Sequence, residues 1–335
     1  MPLPTEDVAA RLHGLMEEGR YGEVLAAYQA HTADGADSPA LALTAAAAAA
    51  RLGDLDLATM LTVAALDRFA AERDRLGWGR ALNLLGAIHF ERGAIDQADT
   101  CFGQALRLAR ESEDALLTAR ASNNLGTVAD LRGRSDLALS LYRAALLAYQ
   151  GLNHRRGIAE TCHNLGITLA RLGVLEDARE SSRRAVGEAE ALGERLLLAL
   201  SLGGVGERSL QCGDLEHAGR ALERAAQLAE EAADDATGAE VARLRAVLAL
   251  RREAYQEAYG HADQARQGAE QAGSALVRAE SLVVQALALR GLARPEEAED
   301  RRAEAKAALE SLGAIPLQEE FDTAWRALVP GGRAG

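Results

Sequence analysis

A short motif that returns every 40 residues is the feature that most limits how this chain can fold. The motif consists of a glycine, four variable residues and an alanine. It occurs at residues 53–58, 93–98, 133–138, 173–178 and 213–218. Two further copies keep the spacing but begin with Glu253 and Ala293 instead of glycine. Self-similarity at a period of this size indicates a solenoid, in which each repeat packs mainly against its neighbours.

Small residues at regular spacing predict that each repeat is a pair of helices. A column of glycine or alanine precedes the motif at Ala46, Gly86, Gly126, Gly166, Gly206, Ala246 and Ala286. Larger side chains in such a column would push neighbouring helices apart. We therefore expect a first helix before each motif and a second helix after it. The glycine of the motif suits the left-handed conformation that commonly ends a helix.

The repeats divide the chain into three expected parts. Residues 1–37 read as an N-terminal capping hairpin, because the terminal units of a solenoid are atypical. Residues 38–313 hold seven repeats of 40 residues, and residues 314–335 hold a C-terminal cap helix and a tail. The predicted fold is all-α, with about eight helical hairpins followed by the cap helix.

Composition argues against several functions. The net charge is −13, which disfavours direct binding of nucleic acid. The three cysteines, Cys101, Cys162 and Cys212, form no C-x-x-C pair, so we expect no metal site and no other cofactor. The first residues lack the basic and apolar segments of a secretion signal, and no apolar run is long enough to span a membrane. We expect a cytoplasmic protein that does not enter membranes.

The repeats resemble those of the tetratricopeptide repeat family. Within residues 76–114 the family's order is carried by Leu82, Leu85, Gly86, His89, Ala98, Phe102 and Ala105. The period of 40 is longer than the family's common period of about 34. It resembles the long-helix variety of kinesin light chains and of bacterial peptide-sensing regulators. The resemblance implies a right-handed superhelix that binds a peptide or protein segment in a concave groove lined mainly by the first helices.

Asparagines in the middle of the first helices are the leading candidates for binding residues. They are Asn83, Asn123, Asn124 and Asn164. Asparagine is a poor helix former, so local helix propensity does not explain it there. A carboxamide offers donors and acceptors together, which suits the backbone of an extended peptide. The alternative is that these side chains bridge adjacent helices as a structural ladder.

The resemblance adds charged residues at positions that line the groove in the family. These are Arg80, Arg120, Asp130, His163 and Arg171. The arginines are suited to bind an acidic peptide or a terminal carboxylate. The alternative is that they pair with acids on neighbouring helices, among them Glu91, Asp130 and Glu160.

Two local features allow more than one interpretation. Gly203, Gly204 and Gly206 lie in one helix, and the small-residue column explains only Gly206. The other two glycines mark either a soft point in the superhelix or a tight contact. Cys162 and His163 are adjacent, so on a helix they point about 100° apart and form a poor nucleophile and base.

The sequence thus predicts a binding protein and no enzyme. The predicted role is that of an adaptor or scaffold that holds a peptide or protein segment in the concave groove. One alternative is a regulator that responds to a peptide or other ligand by a change in superhelix shape. Another is a structural subunit of a larger assembly that uses its outer face.

Overall fold

The computed structural model describes residues 5–33, 38–232 and 234–328, and the regular structure in these residues is helical throughout. The first eight helices are α1 (Thr5–Glu17), α2 (Tyr21–Ala33), α3 (Pro39–Arg51), α4 (Leu55–Glu72), α5 (Arg75–Glu91), α6 (Ile95–Glu111), α7 (Ala115–Leu131) and α8 (Ser135–Gly151). The others are α9 (Arg155–Arg171), α10 (Leu175–Leu192), α11 (Arg195–Gln211), α12 (Leu215–Ala232), α13 (Asp235–Arg251), α14 (Tyr255–Ala272), α15 (Ala275–Gly291), α16 (Pro295–Leu312) and α17 (Ile315–Ala327). The predicted all-α fold of helical hairpins with one last helix is confirmed.

Two compact units make up the chain. Unit 1 is residues 1–121 and unit 2 is residues 122–335, so the division falls within α7. In unit 2 the first helices α9, α11, α13 and α15 pack side by side. The predicted division into an N-terminal cap, seven repeats and a C-terminal cap stays a prediction, and its tail after residue 328 lies outside the described residues.

A left-handed residue ends each first helix, as the motif predicts. The glycines that open the motif, Gly53, Gly93, Gly133, Gly173 and Gly213, have φ between 72° and 77°. Glu253 and Ala293 occupy the same place and also have positive φ, 60° and 56°. Residues with a Cβ pay about 1–2 kcal/mol for this conformation. The geometry of the turn is therefore kept even where its preferred residue is lost.

A second set of left-handed residues, which the sequence analysis did not identify, lies between successive hairpins. Arg73, Glu113 and Asn153 have φ between 52° and 57° there. In later repeats Gly193 and Gly273 take the corresponding places, with φ of 69° and 72°. Both turns of a repeat thus use the same backbone device to stop a helix.

Close contacts within the hairpins explain the glycines of the small-residue column. A Cβ added to Gly86 would lie 2.7 Å from the ring of Phe102. A Cβ on Gly126 would lie 2.5 Å from the ring of Tyr142, and one on Gly206 would lie 2.6 Å from Leu222. In these three hairpins a large side chain of the second helix fills the space that glycine leaves, and at Gly166 an added Cβ would lie 2.9 Å from Oγ of Ser182. These close contacts confirm that the column needs small residues.

The last helix, α17, is anchored by aromatic side chains. Phe321 and Trp325 are buried, and the guanidinium groups of Arg290 and Arg302 lie 4.5 and 4.7 Å from the Trp325 ring centroid. At its other end α17 approaches the turn between α7 and α8, because a Cβ on Gly133 would lie 3.2 Å from Cγ of Pro316. Within unit 2 the last helix therefore meets the earliest turn.

None of the helices in the described residues combines the length and the apolar character that crossing a membrane requires.

Candidate functional site

The first helices of unit 2 carry a set of polar and charged side chains, which we call the polar face. It consists of Asn123, Asn124 and Asp130 on α7, His163, Asn164 and Arg171 on α9, Glu207 on α11, Glu240 and Arg243 on α13, and Glu280 on α15. A hydrogen bond joins Asn164 to Asn123, and an ion pair joins Asp130 to Arg171. Ion pairs or electrostatic effects link the charged members on α11, α13 and α15 to one another and to His163. The polar face contains the predicted site residues of unit 2 and four charged residues that the sequence analysis did not single out.

Two of the predicted asparagines contact each other. The Nδ2 group of Asn164 donates a hydrogen bond of 3.3 Å to Oδ1 of Asn123, which joins α9 to α7. This contact is the one expected of a structural ladder. A carboxamide has two donor hydrogens and two acceptor positions, however, so one bond between the pair leaves further capacity. Both side chains are only half-buried, as is Asn124.

Asp130 and Arg171 form an ion pair and hydrogen bond between α7 and α9. Burial raises the pKa of the Asp130 carboxyl, and the positive charge of Arg171 opposes this effect without cancelling it. The alternative in which Arg171 pairs with an acid on a neighbouring helix is confirmed. Its guanidinium can still contact a second anion, because it carries five donor hydrogens.

Arg243 is the centre of the polar face. Its side chain is 7% exposed and is surrounded by three carboxylates from three helices. Its Nη2 lies 2.5 Å from Oε1 of Glu240 and 3.9 Å from Oε1 of Glu207, and its Nε lies 3.4 Å from Oε2 of Glu280. A buried arginine needs such partners, because an unpaired buried charge is strongly destabilising.

The three carboxylates around Arg243 do not share its charge equally. Glu240 is hydrogen-bonded to Arg243; burial alone would raise its pKa, but the charge and hydrogen bond of Arg243 outweigh burial and lower it. Burial dominates for Glu207 and raises its pKa. Burial also raises the pKa of Glu280 to about 8. At neutral pH Glu280 therefore holds a proton, since one guanidinium cannot balance three partly buried carboxylates.

His163 lies against the backbone of α11. A Cβ on Gly204 would lie 2.5 Å from its Nδ1, so the histidine ring occupies the space that Gly204 leaves. This contact explains Gly204 and supports the close-packing interpretation there. Gly203 is different, because its added Cβ would make only an ordinary contact of 3.4 Å with Leu244, and nothing in the structure requires glycine at that position.

The imidazole of His163 is held in its neutral form. Burial lowers its pKa, and the nearby charges of Glu240 and Glu160 only partly offset this effect. Its buried Nδ1 has no hydrogen-bond partner among the described residues. The polar face thus contains a buried ring nitrogen, Nδ1 of His163, that packs against Gly204. It also contains several carboxylates that are partly shielded from solvent.

Glu320 of α17 lies at the edge of the polar face. Burial raises its pKa, and the charges of Arg171 and Arg251 lower it while that of Asp130 raises it. The same carboxylate also acts on the pKa values of Glu207 and Glu280. The last helix of unit 2 therefore contributes a charge to the face formed by the first helices.

The remaining predicted residues, Arg80, Asn83 and Arg120, belong to unit 1. Nη2 of Arg80 lies 3.2 Å from Oδ2 of Asp114, so Arg80 also pairs with an acid on its own unit. Asn83 is half-buried in α5, and Arg120 is exposed on α7. These residues lie outside the polar face as defined here.

A signal for the missed centre of the polar face is present in the sequence. Arg243 occupies the same place in its repeat as Asn83, Asn123 and His163, at successive multiples of 40 residues. Following this column through every repeat would have identified Arg243. Two of its carboxylate partners, Glu240 and Glu280, share the column of Arg80, Arg120 and Glu160, but their meeting with Arg243 depends on how three helices pack.

The polar face contains no obvious nucleophile. Burial raises the pKa of the neighbouring Cys162 thiol to about 11, so it stays protonated at neutral pH and is a poor nucleophile. Within the described ranges, no group of three or more His, Cys, Asp or Glu side chains is placed to hold a metal ion. The expectation that the protein is not an enzyme stays a prediction.

Comparison with known proteins identifies the repeat. Residues 79–151 match the model of the tetratricopeptide repeat family. A Rap protein solved in complex with competence and sporulation factor is similar, with 16% sequence identity, a TM-score of 0.66 and coverage of 97% of both chains. No curated protein sequence matches the chain.

Two further solved structures are similar. Aspartyl phosphate phosphatase F from Bacillus subtilis shares 13% identity at a TM-score of 0.62, over 79% of this chain and 70% of that chain. The Rap conjugation gene regulator of the plasmid pLS20, in complex with the Phr* peptide, shares 16% identity at a TM-score of 0.66, over 78% and 72%. At such identities these structures show a shared fold. Residues 79–151 therefore match the tetratricopeptide repeat family, and the described helices share the solenoid fold of these structures.

Proposed function

We propose that the protein is an adaptor that binds a peptide or an extended protein segment on the polar face of unit 2. Asn123, Asn124 and Asn164 would contact the backbone of the bound segment. The carboxylates of Glu207 and Glu280 would bind a lysine or arginine side chain or an N-terminal amine. No cofactor takes part in this proposal.

The observation that carries the proposal is the surplus of carboxylates around Arg243. Glu207, Glu240 and Glu280 share one guanidinium, and the pKa values of Glu207 and Glu280 are raised by burial. A cation from a partner would restore the charge balance and let both carboxyls ionise. Because burial keeps Glu280 protonated at neutral pH, the cluster has a carboxyl that can ionise when a cation binds.

The comparisons support binding of a peptide. Two of the similar Rap proteins were solved with a bound ligand, competence and sporulation factor in one and the Phr* peptide in the other. Those ligands belong to those proteins. For this chain they favour the peptide class over other ligands, and the charge distribution of the polar face suggests a cationic segment.

The proposal is tested by selecting peptides from a random display library on the full-length protein. We expect the selected peptides to be enriched in lysine and arginine. Binding should be accompanied by proton release near neutral pH, because a bound cation lowers the pKa values of Glu207 and Glu280. Calorimetry in two buffers of different ionisation enthalpy measures this release.

Matched variants locate the binding site. Glu207→Gln/Glu280→Gln should weaken binding of a selected peptide by about tenfold or more, since charge-assisted contacts are lost. Glu296→Gln/Asp300→Asn removes two exposed acids of α16 and should leave affinity unchanged. Equal affinity of both double variants for the peptide would refute the assignment to the polar face.

The asparagine clamp is tested separately. Asn123→Ala/Asn164→Ala removes the hydrogen bond between the two side chains. If they clamp the peptide backbone, affinity falls while the unfolding midpoint changes little. A large fall in the midpoint with unchanged affinity would identify the pair as a structural ladder.

A regulatory role is the second candidate, and the position of α17 favours it. Glu320 acts on the polar face, so a bound segment that pairs with Arg171 would compete with it. Such competition would shift α17, and the movement of this helix would transmit the binding event to another surface of the protein. Hydrogen exchange of α17 amides, with and without a selected peptide, tests this role. Unchanged exchange would argue for a passive adaptor.

A structural role in a larger assembly has weaker support. Exposed apolar side chains do occur on second helices, such as Met60 and Val63 on α4 and Leu137 and Leu147 on α8. Scattered exposed apolar residues are common on soluble proteins and do not by themselves mark an interface.

A further inference from the structure

A cleft in unit 2, separate from the polar face, is formed by α10, α11 and α12. It encloses about 590 Å³ and is lined by Arg208 of α11, Arg179 and Arg183 of α10 and His217 of α12. Arg208 follows Glu207 in the chain, and adjacent residues of a helix point about 100° apart. The two residues therefore face different surfaces of α11. We call this cavity the Arg208 cleft.

Arg208 has an unusual environment for an arginine. It is 8% exposed, and its buried Nε has no hydrogen-bond partner. Among the described residues its side chain takes part in no hydrogen bond or ion pair. Arginine remains charged in proteins, so the fold holds a buried positive charge without a compensating anion.

The repeat shows that this arginine is not required by the architecture. The corresponding positions of the other repeats hold Ala48, Ile88, Val128, Thr168, Leu248 and Ala288. All six are buried and none is charged. An apolar residue or threonine therefore fits this place in the fold, and the charge of Arg208 has no structural counterpart in any other repeat.

The acids that line the cleft already have other partners. Glu190 lies 3.5 Å from the Nη2 of Arg224 on α12. Asp214 accepts a hydrogen bond of 3.0 Å from the backbone N–H of His217 at the start of α12. Arg183 pairs with Glu180, which leaves Arg179 and Arg208 as the arginines of the cleft whose side chains have no partner among the described residues.

The rest of the lining indicates the size and character of a ligand. Val186, Leu202 and Val205 provide an apolar wall beside the arginines. A volume of this order is in the range of small-molecule sites, which are mostly apolar with a few polar groups that fix orientation. Guanidinium groups bind carboxylates and phosphates through paired hydrogen bonds.

We propose that the Arg208 cleft binds a small organic anion, with its phosphate or carboxylate group on the guanidinium of Arg208 and its apolar part on the valine and leucine wall. Arg179 supplies a second positive charge at the cleft. This site is independent of peptide binding on the polar face, so either proposal can fail without the other.

The test is a titration of the full-length protein with sodium phosphate and, separately, with sodium acetate. Binding is followed through the NMR signal of the Arg208 Nε–H group and through the thermal unfolding midpoint. Sodium chloride at equal ionic strength is the reference for general salt effects. We expect at least one oxyanion to shift the signal saturably and to raise the midpoint above the reference. A response to phosphate alone assigns a phosphate group, and a response to acetate assigns a carboxylate.

Variants make the assignment specific. Arg208→Leu introduces the residue found at position 248 and should weaken oxyanion binding by about tenfold or more. Arg143→Leu removes an exposed arginine of α8 outside the cleft and should bind as the wild type does. If Arg208→Leu does not fold, the exposed Arg179→Ala should still weaken binding. The proposal is overturned if neither oxyanion exceeds chloride in the wild type, or if the cleft variants bind as tightly as the Arg143→Leu control.

Discussion

At the scale of single residues, the backbone conformation is conserved across repeats more strictly than the residue that favours it. Glu253 and Ala293 adopt the left-handed conformation that glycine adopts in the five preceding motifs. The neighbouring helices impose this conformation, because the chain must turn at the same place for the repeats to stack. Packing of the repeats thus overrides the local preference of these residues against the left-handed conformation. Substitution by glycine at such positions can therefore stabilise the protein.

We expect Ala293→Gly to stabilise the protein by up to about 1 kcal/mol. Relief of the left-handed penalty of about 1–2 kcal/mol is partly offset by the greater freedom of glycine in the unfolded chain. Urea unfolding measures the change. The matched control is Ala307→Gly on the exposed surface of α16, where the same substitution should lose about 1 kcal/mol. Equal losses for both variants would contradict the argument.

A tight contact between α9 and α11 gives a second prediction. Gly204→Ala places a methyl group 2.5 Å from Nδ1 of His163 and should destabilise the protein by about 1–3 kcal/mol. Gly203→Ala meets only an ordinary contact and should be neutral or mildly stabilising.

The partner of the clash can be checked with a second substitution. In a His163→Ala background the loss caused by Gly204→Ala should largely disappear, because the ring that causes the clash is gone. Full additivity of the two unfolding free energies would show that the histidine ring is not what Gly204 accommodates.

At the scale of elements, the sequence predicted what depends on local spacing and missed what depends on packing. The positions of the helices follow from the repeat, because glycine turns and small-residue columns are local signals. The meeting of Arg243 with Glu207 and Glu280 depends on the relative rotation of three helices, which no single window of sequence encodes. For the same reason the sequence left two alternatives for Arg171, binding of an acidic peptide or pairing with an acid such as Asp130, and could not choose between them. The approach of α17 to the turn at Gly133 left no signal in the sequence.

The attachment of α17 rests on Trp325. Trp325→Ala should remove about 3–5 kcal/mol of packing, together with the contacts of Arg290 and Arg302 to its ring. Because α17 is the last described helix, we expect most of this loss to appear as local opening of α17. Hydrogen exchange of its amides measures that opening.

Trp78→Ala is the control, since this tryptophan is 38% exposed in unit 1 and should change the exchange of α17 little. If Trp325→Ala left α17 as protected as in the wild type, the aromatic anchor would not be what holds this helix.

At the scale of the whole molecule, the charge cluster around Arg243 makes stability depend on pH. Glu280 has a pKa of about 8 in the folded protein and an ordinary, much lower value when unfolded. Between these values the folded state binds more protons than the unfolded state, so stability falls as pH rises. Glu207, with its raised pKa, acts in the same direction, and Glu240, with its lowered pKa, acts against it.

We expect Glu280→Gln to flatten this dependence. The free energy of unfolding of the wild type should fall between about pH 5 and 8, and the difference from Glu280→Gln should grow over the same range and then level off. Urea unfolding at about pH 5, 7 and 9 tests this expectation. Glu296→Gln, an exposed acid of α16, should follow the wild type at all three. A constant difference between Glu280→Gln and wild type would show that Glu280 titrates normally in the fold.

The approach of Pro316 to Gly133 bears on how unit 2 loses its structure. In a linear array each repeat touches only its neighbours, so unfolding begins at a free end and proceeds inward. Here the last helix, α17, also approaches the earliest turn of the unit, between α7 and α8. The two ends of the repeat array in unit 2 are therefore coupled. Fraying at one boundary removes support from the other, and this coupling raises the cooperativity of unfolding. A variant that separates Pro316 from Gly133 should therefore broaden the unfolding transition of unit 2 more than it lowers its midpoint.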